Sequence, residues 1–302
     1  MFFQSNGKIL LSSEYLVLDG AKSIALPSKK TQELHVTKKT MDSIVWKSYD
    51  HNNNLWFEEI FKLKKNKLTY DGEKNIISEK LLKLFNHIHK FKDVSNSLGN
   101  QFITKLNFDR NWGLGTSSTF VNNLAKWAEI NAYELLYSSF KGSGYDIACC
   151  DKNCPITYSN LNNSVSINEI KLNSLFRENV FLIYLGRKQN TQNSIKSYYN
   201  KSFNKTKSIQ EINKVTDQII DCQDLYELES LIELHESIIS NILSTNPIQK
   251  SEFKDYKDGK IKSLGSWGGD FILATTRNNN LSYFKNKGFN TIFPLSDLVY
   301  IN

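Results

Sequence analysis

Apolar positions along the chain change period several times, and those changes divide it into elements. Lys8–Leu11 and Tyr15–Leu18 are short apolar runs, and Asp19-Gly20 is a turn dipeptide. The first thirty residues therefore read as two short strands around a turn. Stretches 33–37, 43–48 and 55–63 have strand character with polar breaks between them, which predicts an antiparallel sheet. The period then switches, because Ile77, Leu81, Leu84, Phe85, Ile88 and Phe91 share one face of a helix over 76–91. Residues 101–108 alternate as a strand, and beyond a glycine-rich turn Phe120, Val121, Leu124, Ala125 and Ala128 begin a second helix. A short strand near 156–159 precedes a polar, Asn-rich stretch over 160–173. The second half opens on a strand, Val180–Leu185, followed by helices near 192–203, 207–222 and 225–243. Strands near 260–264, 271–275 and 288–293 complete it, with a short helix before the last. Strands and helices mixed in both halves predict an α+β chain of two domains, 1–172 and 173–302, with the boundary in the Asn-rich stretch.

Composition narrows the functional classes. The net charge of +7 suits anionic small substrates as well as nucleic acid. Basic clusters such as Lys62–Lys67 are short and lack a regular aromatic interleave, so no nucleic-acid partner is expected. Cys149, Cys150 and Cys154 crowd together far from Cys222, which is not a disulfide framework, and no histidine joins them at zinc-ligand spacing. Reduced thiols predict a cytoplasmic protein. No segment approaches the roughly 20 apolar residues that span a bilayer, so no membrane partner is expected. The sequence leaves the oligomeric state open, a homodimer included.

The strongest local feature is Gly113-Leu-Gly-Thr-Ser-Ser118, placed between a strand and a helix. Two close glycines let the backbone turn sharply and approach a ligand. The helix after them starts among Thr and Ser residues suited to capping, and its unpaired N–H groups favour phosphate. Hydroxyls of Thr116, Ser117 and Ser118 offer further bonds to phosphate oxygens or to Mg²⁺. No Walker A loop and no Gly-x-Gly-x-x-Gly element occurs. His235-Glu236 lacks a second histidine at metalloprotease spacing and reads as a helix-surface pair.

Three further segments join the turn in order. Ser5-Asn-Gly-Lys-Ile-Leu-Leu-Ser-Ser-Glu-Tyr-Leu-Val-Leu-Asp-Gly20 resembles the first motif of the GHMP kinases, and Gly113–Ser118 is similar to their second. Gly142-Ser-Gly-Tyr-Asp-Ile-Ala148 resembles the segment that carries their catalytic Asp. Lys262-Ser-Leu-Gly-Ser-Trp-Gly-Gly-Asp270 resembles the third motif. The resemblance covers residues 6 to about 275. It implies an N-terminal domain like domain 2 of ribosomal protein S5, a ferredoxin-like C-terminal domain, and ATP with Mg²⁺ as cofactors.

Roles follow by position in the resemblance. Asp146 matches the catalytic Asp and Lys8 its cationic partner, an arrangement that keeps the carboxylate ionised. Gly113, Leu114, Gly115, Thr116, Ser117 and Ser118 match the ATP-phosphate loop. Ser117 matches a Mg²⁺ ligand, with Glu134 as a candidate second one. Ser143, Gly144, Arg187, Lys188, Lys262, Gly265, Gly268 and Gly269 are expected around substrate or phosphate, Arg187 by a bidentate fork. Ser13 stands where the family has Gly before Glu14, and Trp267 stands where it has Gly. The Gly-Ser-Gly-x-Asp-Ile-Ala segment, Asp270 and the loop Gly186–Ser194 resemble the phosphomevalonate kinases of the family. The implied partner is a small alcohol or phosphate: phosphomevalonate first, mevalonate next, a sugar or homoserine more distantly. A binding protein without turnover is the alternative from another class.

Overall fold

The computed structural model describes residues 1–65, 67–162, 164–187, 191–278 and 280–302. In chain order the elements are β1 (Phe2–Leu10), β2 (Ser23–Lys38), β3 (Ile44–Tyr49), β4 (Leu55–Lys64), β5 (Lys67–Tyr70), α1 (Ile76–Ile88), β6 (Asn100–Leu106), α2 (Thr116–Ala128), α3 (Ala132–Ser139) and α4 (Tyr145–Cys149). They continue with β7 (Ile156–Leu161), β8 (Ser164–Glu169), α5 (Leu175–Glu178), β9 (Val180–Tyr184), α6 (Thr191–Tyr199), α7 (Lys205–Asp221) and α8 (Leu225–Leu243). The last are α9 (Ile248–Ser251), β10 (Ile261–Ser263), β11 (Phe271–Thr275), α10 (Ser282–Asn286), β12 (Ile292–Pro294) and α11 (Leu295–Leu298). The α+β class is as expected.

The chain forms two compact units that are not consecutive stretches. One contains Met1–Gly7, Lys30–Arg110 and Gly115–Asp151; the other contains Lys8–Lys29, Asn111–Leu114 and Lys152–Asn302.

In the first unit the strands run β5-β4-β3-β6-β2. The apolar stripe of α1 buries Leu81, Leu84, Phe85 and Ile88, and Asn75 starts the helix by accepting from the Ile77 N–H at 2.8 Å. These side chains meet Trp46 and Phe61 of the sheet and Leu124 and Trp127 of α2 in one core. Trp46 and Phe102 stack at 5.2 Å between ring centres. The antiparallel expectation fails at one pair: β3 runs parallel to β6, with Trp46 opposite Phe102. A helix intervenes between β5 and β6, and such a crossover allows parallel neighbours that a hairpin does not. α3 was not legible as a separate helix; Asn131 caps it by accepting from the Tyr133 and Glu134 N–H groups.

In the second unit β10-β11-β9-β12 form a four-stranded antiparallel sheet, with Phe271 opposite Tyr184. Phe181, Ile183, Phe253, Ile261, Ile272 and Phe284 build its core. α7 packs on α8, and α8 and α9 pack on β10. Two expectations change here. The apolar run Tyr15–Leu18 is not a strand: Ser13 and Tyr15 both adopt positive φ (65° each), and Leu16–Asp19 winds into a 3₁₀ turn. The polar, Asn-rich stretch 160–173, to which no strand was assigned, contains one: Ser164–Glu169 pairs antiparallel with β7. Every residue of β8 is exposed, so it carries no half-buried alternation to betray it.

Candidate functional site

Parts of three sequence motifs meet inside the second unit. The Lys8 N–H donates to the Leu114 carbonyl at 3.0 Å, and the Lys8 ammonium donates to the Gly113 carbonyl at 3.3 Å. The end of β1 is thereby fastened to the glycine turn, 105 residues away in the chain. Gly113 has φ 66°, and a Cβ placed on it would lie 2.3 Å from Asp270 Oδ2. Asp270 thus presses on the turn so closely that only glycine fits there. Trp112 anchors the same turn: its ring lies 5.9 Å from Phe271 and 5.1 Å from Phe293.

The third motif is a run of left-handed residues. Gly265, Trp267, Gly268 and Asp270 have φ of 58°, 49°, 85° and 48°. Trp267 is a bulky residue in a conformation that favours glycine, and its buried indole N–H has no hydrogen-bond partner among the described residues. The Asp270 N–H donates to the Arg187 carbonyl (2.7 Å), and the Leu185 N–H donates to the Asp270 carbonyl (2.8 Å). The Gly186-Arg187 turn and the third motif are therefore held together by backbone. The Tyr15 hydroxyl donates to the Ser266 carbonyl at 2.9 Å, linking the first motif to the third. Burial pushes that phenol up to about 12.

Beneath these loops lies a buried ionic cluster that the sequence did not reveal. Lys262, expected near phosphate, is 1% exposed, and its ammonium pairs with the fully buried Glu14 carboxylate. Its remaining bond goes to the Ser263 carbonyl at 2.9 Å. On the other side of Glu14 stands His235 Nε2 at 3.0 Å, which also accepts from the Ser13 N–H at 2.9 Å. Glu236 Oε1 lies 4.0 Å from both Lys262 and His235. The expectation of a surface His235-Glu236 pair is overturned, since the two are 0% and 3% exposed.

The charges in the cluster set one another. Burial alone would raise Glu14, but Lys262 and then His235 outweigh it and hold its carboxyl below the usual range. Burial, aided by Lys262, pushes His235 down and keeps the imidazole neutral. Burial pushes Glu236 up to about 8, against the pull of Lys262 and with the push of Glu14. A legible signal existed: Glu229, His235 and Glu236 fall on the same face of α8 as Leu228, Ile232 and Ile239.

The remaining expected residues lie in the first unit. α2 begins at Thr116, and its cap is Gly115 at φ 86° with no side-chain cap bond. The expected hydroxyl cap is absent because Ser118 turns its Oγ back to the Gly115 carbonyl at 2.8 Å. Thr119 donates to Gln32 Oε1 at 2.6 Å. Thr116 is half-buried and Ser117 exposed on that first turn. Asp146 occupies the first turn of α4, entered through Gly144 at φ 92°, and α4 packs on α2. Ser143 and Gly144 are buried, and the Ser143 carbonyl accepts from the Tyr137 hydroxyl at 3.0 Å. Glu134 faces His87 Nε2 at 3.5 Å.

Arg187, in the second unit, gives its guanidinium to Glu252 at 2.6 Å. Lys188 lies outside the described residues. Gly269 is buried and Gly268 half-buried in the third-motif loop. No three His, Cys, Asp or Glu side chains gather as a metal cluster among the described residues. No described helix is long and apolar enough to cross a membrane.

A large mixed sheet and a four-stranded antiparallel sheet, both with packed helices, give the chain the fold of the GHMP kinases. The structure is similar to the Methanococcus jannaschii mevalonate kinase over 97% of this chain and 96% of that one, with a TM-score of 0.68 and 15% identity. It is similar to Streptococcus pneumoniae phosphomevalonate kinase, solved in complex with phosphomevalonate and AMPPNP, over 97% and 99% of the two chains (TM-score 0.70, 12% identity). A D-glycero-D-manno-heptose 1-phosphate kinase from Bacteriodes thetaiotaomicron matches over 100% and 96% (TM-score 0.61, 15% identity). No family model matches the chain, and no curated protein matches it by sequence.

Proposed function

We propose that the protein is an ATP-dependent phosphotransferase of the GHMP type and that its acceptor is phosphomevalonate. The observation that carries this reading is the fastening of Lys8 to the Gly113-Leu114 turn, with Asp270 pressed on Gly113. A cation and a glycine turn built together suit a chemistry that consists mostly of positioning and charge neutralisation. The fold shared with kinases of mevalonate, phosphomevalonate and a heptose phosphate supports it. The acceptor assignment rests on the Gly142–Ala148 segment and Asp270.

In this reading Asp146 accepts or orients the proton of the attacking acceptor oxygen. That oxygen forms a bond to the γ-phosphorus as the bond to the β-phosphate oxygen breaks, and ADP leaves. Lys8 offsets the charge on the transferring group. Gly113–Ser118 cradles the ATP phosphates with backbone N–H groups and hydroxyls. Mg²⁺ in such sites is held largely by substrate phosphates with one or two protein oxygens, and the exposed Ser117 hydroxyl would be one of them. When bound, the ion neutralises phosphate charge. Glu134 faces His87 and is not needed for this set. Gly265, Gly268 and Gly269 give the third loop its close approach to substrate or phosphate. Arg187 and Lys188 remain candidates for an anionic acceptor, Arg187 in exchange for its bond to Glu252. The four cysteines are thiols, which suits a cytoplasmic enzyme.

The test is ADP release by purified protein with ATP, Mg²⁺ and phosphomevalonate, mevalonate or a sugar panel in parallel. The proposal expects the largest kcat/KM with phosphomevalonate. Preference for mevalonate or a sugar would move the acceptor assignment and keep the phosphotransfer. Nucleotide binding without turnover on any of them would sink the enzyme reading and leave a binding protein.

A further inference from the structure

A groove of about 810 Å³ opens in the second unit between the C-terminal half of α8, α9 and β10. It lies apart from the Lys8–Gly113–Asp270 contacts, which share none of its lining residues. Leu234, Pro247 and Ile261 give it an apolar wall. Five cations line the rest: Lys250, Lys254, Lys257, Lys260 and Arg277. Two are compensated, Lys260 by Glu233 and Arg277 by Glu229. Lys250, Lys254 and Lys257 have no carboxylate partner among the described residues, and Lys257 finds only the Lys254 carbonyl, at 3.3 Å. Three uncompensated ammonium groups around one concavity concentrate positive potential there.

Glu236 is also a lining residue, but its carboxyl oxygens are buried, with Oε1 4.0 Å from both Lys262 and His235, so it adds no exposed negative charge to the groove.

We propose that this groove is a second binding site, for a compact organic phosphate whose carbon skeleton rests on the apolar wall. Its phosphate is held by Lys250, Lys254 and Lys257. The proposal is independent of the phosphotransferase reading, because none of these residues has a role in it.

Hydrogen–deuterium exchange on the full chain tests it, with pyrophosphate as probe, citrate as the carboxylate arm and sodium chloride at matched ionic strength. Pyrophosphate is expected to slow exchange across residues 247–261 in the wild type and to do so at least tenfold less effectively, by concentration, in K250E/K254E. Weaker protection by citrate assigns the site to phosphate; equal protection overturns the phosphate assignment. Absence of protection by pyrophosphate, or the same protection in K250E/K254E, would overturn the site.

Discussion

Replacing Glu236 by Gln should change how stability depends on pH, and the cluster around it fixes the sign. In the folded chain Glu236 keeps its proton up to about pH 8, whereas an unfolded glutamate releases it near 4.5. Between those values the unfolded state binds fewer protons, so stability falls as pH rises, by about 1.4 kcal/mol per unit. The contribution is complete below 4.5 and gone above about 8. His235 runs the other way: its folded value lies below 6.5, so below 6.5 the folded chain binds fewer protons and stability rises with pH. The two slopes oppose each other up to 6.5. From 6.5 to 8 the Glu236 slope stands alone within the cluster, and the loss over that window is about 2 kcal/mol. Urea unfolding of wild type and E236Q in pH steps across the window measures it, since the midpoint shifts while the slope with denaturant stays fixed. The wild type should lose about 2 kcal/mol relative to E236Q between pH 6.5 and 8. Parallel curves for the two proteins would refute a protonated Glu236.

Other substitutions probe the loops and the cluster. Lys262→Met leaves the buried Glu14 carboxylate without its cation and should cost about 3 kcal/mol at pH 7 by denaturant unfolding, most of it recovered in E14Q/K262M. The loss should shrink below pH 6.5, where His235 can take up a proton 3.0 Å from Glu14; an undiminished loss there would show that His235 does not compensate. Gly113→Ala forces a Cβ into Asp270 at φ 66°. It should lower stability by about 1–2 kcal/mol from the backbone term alone and weaken binding of a fluorescent ATP analogue; unchanged binding would separate the turn from nucleotide recognition.

Much of the scaffold was legible because its signals are local. The stripe of Leu81, Leu84, Phe85 and Ile88 marked α1, and the run Val180–Leu185 marked β9. The glycine turn marked the start of α2, although Gly115 and not a hydroxyl caps it. Elements set by distant partners were hidden. β8 is exposed throughout and exists because β7 pairs with it. Tyr15–Leu18 is apolar like a strand, yet positive φ at Ser13 and Tyr15 turns it into a 3₁₀ segment. The Glu14–Lys262 pair joins residues 248 apart, a distance no periodicity reports. Motif position placed Lys262 beside phosphate, and nothing in that motif announced its pairing with Glu14. His235 and Glu236 were hidden by a habit of reading charged helix residues as surface, although both sit on the apolar face of α8.

The central claim is phosphoryl transfer with Asp146 as the proton-handling group. It is tested most directly by the kcat of Asp146→Asn for ADP release with phosphomevalonate, beside a binding measurement with AMPPNP. The account predicts a fall of about 10²–10⁴-fold in kcat with nucleotide affinity preserved. A kcat within a few-fold of wild type would contradict it.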